Sequence, residues 1–139
     1  MKIKENYLAW GIDVNAFPKN GNDAKQLEFL VNFAVLAPSS HNSQPWRFRI
    51  AGNSIIVEPE FRRALPASDK NNRQLFISIG CAVENIIIAA YYFGYKTSVS
   101  YNSKGNNIFD VKIECAHTNE NNYETAHHLI FSIPATDFF

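Results

Sequence analysis

Between residues 23 and 35 the apolar positions Leu27, Leu30, Val31, Ala34 and Val35 recur at helical spacing and fall on one stripe. The pattern predicts a helix with Asp23 as N-cap and Gln26 completing a capping-box-like pair. Pro38 stops it, because proline disfavours helical geometry at the preceding residue. A polar bend comes next, Ser39-Ser40-His41-Asn42-Ser43-Gln44-Pro45. The period then changes to two: Trp46, Phe48 and Ile50 share one face of a strand, Arg47 and Arg49 the other. Gly52-Asn53 is a hairpin turn signal, and residues 54–58 form the returning strand.

Residues 59–72 read as an irregular loop holding Arg62, Arg63, Pro66 and Asp69. A long helix over residues 72–93 comes after it, about 33 Å at 1.5 Å per residue, with Gly94 as its C′ residue. It is apolar nearly all round, so it needs cover on most sides, from its own sheet and from a second subunit. Residues 75–95 resemble a membrane span in apolar content, but Glu84 and Asn85 lie in the middle. An acidic side chain there costs roughly 2.5–3.5 kcal/mol on insertion scales, so a buried helix and no membrane partner are expected. Two further strands alternate Thr97, Val99, Tyr101 against Lys96, Ser98, Ser100, and Phe109, Val111, Ile113, Cys115 against Asp110, Lys112, Glu114. Lys104-Gly105-Asn106 lies in the hairpin loop between them. A short helix is expected near residues 124–131, and two aromatics, Phe138 and Phe139, end the chain. Aromatics at a terminus suggest a chain that once continued.

The order α–ββ–α–ββ predicts a single α+β domain over residues 1–139: an antiparallel sheet of about four strands packed with a long central hydrophobic helix. Apolar residues at 46% suffice for a core, and the aromatics are assigned to it. Thirteen basic and thirteen acidic residues cancel, leaving no field to gather nucleic acid. Cys81 and Cys115 lack disulfide-scaffold or metal spacing and read as buried thiols. With no apolar signal core after Met1, the expected location is the cytoplasm.

Chemistry has few places to reside. There is no glycine-rich phosphate loop, CxxC, HExxH or Gly-x-Ser-x-Gly elbow. His127 and His128 are adjacent and diverge on any regular element, so no metal site is assigned. Ser39, Ser40 and His41 are contiguous, which suits a bend better than a nucleophile with its base. The bend before Trp46 remains. Its hydroxyls and amides can serve a planar, polar-edged heterocycle. They can equally make the local backbone bonds of an ordinary helix-to-strand loop.

The run Ala37-Pro38-Ser39-Ser40-His41-Asn42-Ser43-Gln44-Pro45-Trp46-Arg47-Phe48 resembles the signature of the nitroreductase family, Ala-Pro-Ser followed by Asn-x-Gln-Pro-Trp and an aromatic strand. A second block is similar to the family's long helix: Leu65-Pro66, Asp69, Arg73, Ile77-Ser78-Ile79-Gly80, Ala82-Val83-Glu84-Asn85, Ala89-Ala90 and Gly94-Tyr95. The nearest likeness is to the divergent branch that includes mycobacterial dormancy-associated members, and it covers about residues 24–95. It implies a homodimer with non-covalent FMN at the subunit interface. Pro38, Ser39, Ser40 and Asn42 would then contact the flavin, His41 would sit at the nicotinamide or substrate side, and Gln44 would hold the loop or touch the flavin. The implied activity is NAD(P)H-driven reduction of small acceptors such as nitroaromatics or quinones, with no dedicated catalytic residue, since the cofactor carries the chemistry.

The chain departs from the family in two respects. Typical relatives begin with an Arg-x-Ser-x-Arg stretch that grips the FMN phosphate, and residues 1–22 contain no arginine. Arg47, Arg49, Arg62, Arg63 and Arg73 are the replacement candidates. Relatives also continue well past this length, so the resemblance implies only their N-terminal part. The alternative function is therefore a non-catalytic FMN-binding or flavin-free truncated relative serving as a binding or structural module.

Overall fold

The computed structural model describes residues 11–104 and 107–118. The expected helix at 124–131, the pair His127-His128, the terminal Phe138-Phe139 and Gly105-Asn106 of the hairpin loop lie outside the described residues. Two helices, α1 (Asp23–Ala34) and α2 (Arg73–Tyr92), accompany four strands, β1 (Trp46–Ala51), β2 (Ser54–Pro59), β3 (Tyr95–Lys104) and β4 (Asn107–His117). The sheet is antiparallel throughout, in the order β1-β2-β4-β3. The expected α+β class and element order are present. The sheet joins two hairpins through β2 and β4, with α2 as the connection between them.

Cross-strand rows explain the core. Phe48, Val57, Val111 and Tyr101 are in register across all four strands, and Ile50, Ile55, Ile113 and Val99 form the next row. Ile55, Val57, Val111 and Ile113 sit on the two central strands and are buried. Leu27, Leu30 and Phe33 of α1, with Leu75, Ile79, Ala82, Val83, Ile86, Ala89 and Ala90 of α2, complete one cluster with them. Tyr101, expected on the buried face, is 64% exposed. It ends its row on β3, an edge strand of the sheet among the described residues. Part of the aromatic content is core as expected: Phe17 stacks on Phe93 at 4.2 Å, and Phe29 meets both edge-on.

The start of α1 differs from expectation. Asn22, not Asp23, caps α1: its Oδ1 accepts from the Lys25 N–H at 3.0 Å. Asn22 is the last extended residue, so the chain enters the helix with Asp23 already inside it. Gln26 makes no capping box. It is buried, and its Nε2 donates to the carbonyls of Pro18 and Lys19 while Oε1 accepts from the Tyr95 hydroxyl. Burial, with Asp23 nearby, pushes the Tyr95 phenol up to about 12. At α2, Asn72 is left-handed and its side chain does not cap. The buried Asp69 takes that role, with Oδ2 accepting from the Leu75 N–H at 3.0 Å.

The end of α1 determines where the polar bend begins. The helix stops at Ala34, ahead of Pro38, in a turn closed by Leu36 N–H to Phe33 O and Ala37 N–H to Ala34 O. Asn85, buried at mid-α2, donates from Nδ2 to the Phe33 carbonyl at 3.1 Å. The polar residue in the middle of the apolar run is thus a tie between the helices. By length and hydropathy α2 would pass for a membrane span, yet half of that stretch is buried inside the fold. Gly94, at φ +81°, closes it as the expected C′ residue.

Asn85→Ala removes the tie and leaves the Phe33 carbonyl with its turn partner, the Leu36 N–H. The expected loss is about 0.5–1.5 kcal/mol of unfolding free energy, measured by urea denaturation. A loss below about 0.5 kcal/mol would mean that the turn alone satisfies the Phe33 carbonyl.

Candidate functional site

The bend from Ala37 to Pro45 hangs between two anchored points. Ala37 is buried at the end of α1, and Pro45 and Trp46 are buried at the start of β1. Between them Ser40–Asn42 forms a 3₁₀ turn, closed by Asn42 N–H to Ser39 O at 2.9 Å and Ser43 N–H to Ser40 O at 3.0 Å. Three residues have left-handed backbones: His41 (φ +52°), Asn42 (φ +51°) and Gln44 (φ +47°). Each such non-glycine residue costs on the order of 1–3 kcal/mol and persists only where neighbouring contacts over-determine it. Asparagine tolerates the region best. Gln44 is the more constrained, since it also precedes a proline.

The over-determining contacts come from inside and outside the bend. Ser39 Oγ accepts from the Gln44 N–H at 2.9 Å. The Gln44 carbonyl accepts from Trp46 N–H at 2.9 Å and from Arg63 Nη1 at 3.0 Å. Ser40 Oγ donates to Gln74 Oε1 in the first turn of α2 at 2.7 Å. Glu60 N–H donates to the Pro45 carbonyl at 2.9 Å, prolonging the β1–β2 pairing. The side chains of Ser39 and Ser40 therefore shape the bend and dock it on α2. Pro38, His41 and Asn42 are exposed, and the Gln44 amide reaches Asn42 Oδ1 only at 3.4 Å. The six residues singled out by sequence are together on one short segment. The outward polar surface is chiefly the His41 imidazole and the Asn42 amide.

The candidate phosphate-binding arginines are largely committed. Arg47 lies 3.7 Å from Glu58 and 3.5 Å from Glu60, and Arg49 lies 3.4 Å from Glu58. Arg62 grips Glu60 through Nη2 at 2.8 Å and Nε at 3.0 Å. Arg63 holds Gln44. Arg73 stands exposed at the start of α2. No sequence signal marks Arg63, Gln74 and Glu60 as supports of the bend. Their contacts with it span 19, 34 and 15 residues, beyond any local pattern.

Two apolar grooves flank α2. One, of about 290 Å³, lies between α2 and the sheet and is lined by Ile79, Gly80, Val83, Glu84, Val99 and Tyr101 among others. A shallower one, of about 430 Å³, is bordered by Ile88, Tyr91, Tyr95 and Thr97. No residue of the bend lines either groove. Among the described residues no three metal-ligating side chains cluster.

Hydrogen bonds from Arg62 hold the Glu60 carboxyl at about 2, well below its ordinary 4.5. Its stabilisation is complete above pH 4.5 and is lost as the pH falls towards 2. A carboxyl-carbon titration by NMR should find the Glu60 midpoint near 2, and Arg62→Ala should return it towards 4.5. An unmoved midpoint in that variant would assign the shift to another neighbour.

No family model matches the chain. A Mycobacterium tuberculosis protein named "Putative NAD(P)H nitroreductase" is 32% identical over 78 residues, 56% of this chain and 23% of the relative. A second, "Putative NAD(P)H nitroreductase acg" from the same organism, is 30% identical over 69 residues, 50% of this chain and 21% of its own length. An "Uncharacterized protein" of that organism is 37% identical over 67 residues, 45% of this chain and 20% of the relative. The matched stretches thus span less than a quarter of the curated relatives. Over part of its length, this chain is a divergent nitroreductase-like relative.

Proposed function

We propose that this domain has the nitroreductase fold and binds FMN non-covalently between two copies of the chain. Its function in this reading is NAD(P)H-driven reduction of nitroaromatic or quinone-type acceptors. The supporting observation is the bend itself: three left-handed residues within four positions, cross-linked to α2 and to the turn Phe61–Arg63, with His41 and Asn42 outward. Strain held in place by surrounding contacts is characteristic of ligand-binding segments. The relatives' printed names support the oxidoreductase class.

The donor set fits a flavin's polar edge. The Asn42 amide can donate to a ring carbonyl and accept from a ring N–H, and His41 offers a further ring nitrogen at the substrate side. Pro38 and the Gln44 side chain flank them, and Ser39 and Ser40 keep the segment in shape. One chain supplies one wall, so a second chain closes the site. A bound flavin would supply hydride acceptance from reduced nicotinamide and electron delivery to the acceptor. This chain's residues bind and orient. Its two free thiols accord with a cytoplasmic location.

The outer face of α2 supports self-association. Ile77, Gly80, Glu84, Ile87 and Tyr91 succeed one another at spacings of three and four, and Ile77 is 54% exposed. A Cβ added to Gly80 would meet nothing within 4 Å. A mid-helix glycine costs about 1 kcal/mol against alanine, and this chain's own packing does not require it. Close approach of another backbone accounts for it.

A second reading, a relative that binds flavin without turnover or has lost it, is favoured by the pairing of Arg47, Arg49 and Arg62 with glutamates. Flavin titration separates the readings. Purified protein is expected to be yellow or to take up added FMN, and to oxidise NADH or NADPH with an acceptor present. Failure to bind FMN rejects both flavin-bound readings. Binding without turnover rejects the reductase alone. Ser40→Ala with Asn42→Ala should weaken FMN retention by about tenfold or more, the loss of one to two hydrogen bonds. Sedimentation of the wild-type chain should show twice the 15.8 kDa monomer mass, and Ile77→Asp should shift it to monomer. A wild-type monomer would remove the interfacial site.

A further inference from the structure

Gln44 is held through the peptide groups on both its sides. Its N–H meets Ser39 Oγ within the bend, while its carbonyl meets Arg63 Nη1 from another element at 3.0 Å. Gln44 is left-handed and lies between the exposed tip and the buried Pro45. Rotation of the Gln44–Pro45 peptide, which carries that carbonyl, would re-aim everything on the tip side, including Asn42 and His41. Among the described residues, the carbonyl's other partner is the local Trp46 N–H, two residues away. Arg63 is therefore the long-range contact that fixes the orientation of this peptide.

Arg63 is itself positioned. It ends the turn Phe61–Arg63, closed by its own N–H to the Glu60 carbonyl at 2.9 Å. Glu60 is buried and stays charged, gripped by Arg62 through two side-chain bonds. Its N–H also holds the Pro45 carbonyl. One short turn thus grasps both consecutive carbonyls, Gln44 and Pro45, at the exit of the bend. An arginine suits this task because its rigid, always-charged fork keeps its donor direction and strengthens the bond.

We infer that Arg63 is a positioning residue for the flavin-facing bend: through the Gln44 carbonyl it holds Asn42 and His41 in their binding orientation. The inference rests on the proposed flavin reading. It differs from assigning Arg63 to the FMN phosphate, because the guanidinium acts on the backbone.

The full chain with Arg63→Ala, Arg63→Lys and Arg63→Met is the material for the test. Two measurements are made on each: FMN affinity by flavin fluorescence quenching, and amide hydrogen exchange of residues 42–44 and 46 without flavin. Arg63→Ala and Arg63→Met should speed exchange at the Trp46 N–H, which shares the Gln44 carbonyl, and weaken FMN by about tenfold. Arg63→Lys, which keeps one charged donor, should recover part of both. Thermal melting should stay within a few degrees of wild type, because Arg63 is exposed. Unchanged exchange and unchanged FMN affinity in Arg63→Ala would overturn the positioning role while leaving the flavin reading intact. Faster exchange in a protein whose wild type takes up no FMN would retain the contact but overturn both flavin-dependent statements. Weaker FMN with unchanged exchange, not recovered by lysine, would assign Arg63 directly to the ligand and also overturn positioning.

Discussion

The amide of Asn85 is the constraint on which the site depends. It lies mid-way along a largely apolar helix and donates to the carbonyl of Phe33, in the last turn of α1. The Phe33 carbonyl already accepts from the Leu36 N–H of the closing turn, and the Asn85 amide adds a second, long-range donor. Supplying it from α2 fixes the axial position of one helix on the other, which apolar contacts alone leave free to slide. That contact determines where α1 ends relative to the sheet, and so where the bend begins. Pro45 and Trp46, buried at the head of β1, determine where it ends. The span between is short, and the backbone closes it by turning left-handed at His41, Asn42 and Gln44. The left-handed residues of the bend thus lie between two anchors placed by the core.

Strain alone would relax into alternative loops. The cross-links prevent this by acting from different elements: Gln74 at the start of α2, and Arg63 and Glu60 beyond β2. These elements are themselves fixed. Asp69 caps α2 from within the core, and the Glu60–Arg62 pair holds the turn Phe61–Arg63. The stretch between β2 and α2 is irregular but tied down. Its function in the fold is to bring polar groups to the exit of the bend, as loops on rigid scaffolds commonly do.

Much of the fold is legible in the sequence because period and punctuation agree. The alternation from Trp46 to Ile50 and the Gly52-Asn53 turn predict the first hairpin, and Gly94 predicts the end of α2. The joining of β2 to β4 is not legible, since both hairpins are complete as local units and either could turn its other edge inward. The cap of α1 is ambiguous because Asn22 and Asp23 are adjacent, equally good capping residues. Only the extended backbone of Asn22 separates them. Gln26 misleads for the same reason that makes it useful: a polar residue on the apolar stripe suggests a surface cap, whereas a distant tyrosine hydroxyl and two loop carbonyls satisfy it in the core. The bend is visible as a cluster of polar residues, and resemblance gives it a meaning. Its supports are invisible, because Arg63 and Gln74 meet it only after the chain has folded.

In the proposed flavin reading, the same geometry leaves one chain with half a site. The bend lines neither groove beside α2, and its most outward groups, His41 and Asn42, point away from the core. A planar heterocycle on such a surface would keep one face in water and gain little from burial. Affinity requires a second wall. The exposed seam of α2, with Ile77 and an otherwise unneeded glycine at position 80, is a surface on which another copy can rest. Ser40 ties the bend to the first turn of that same helix. In the proposed dimer, a contact on α2 would act on the helix to which the bend is tied, so that association of two chains and completion of the polar rim would be coupled.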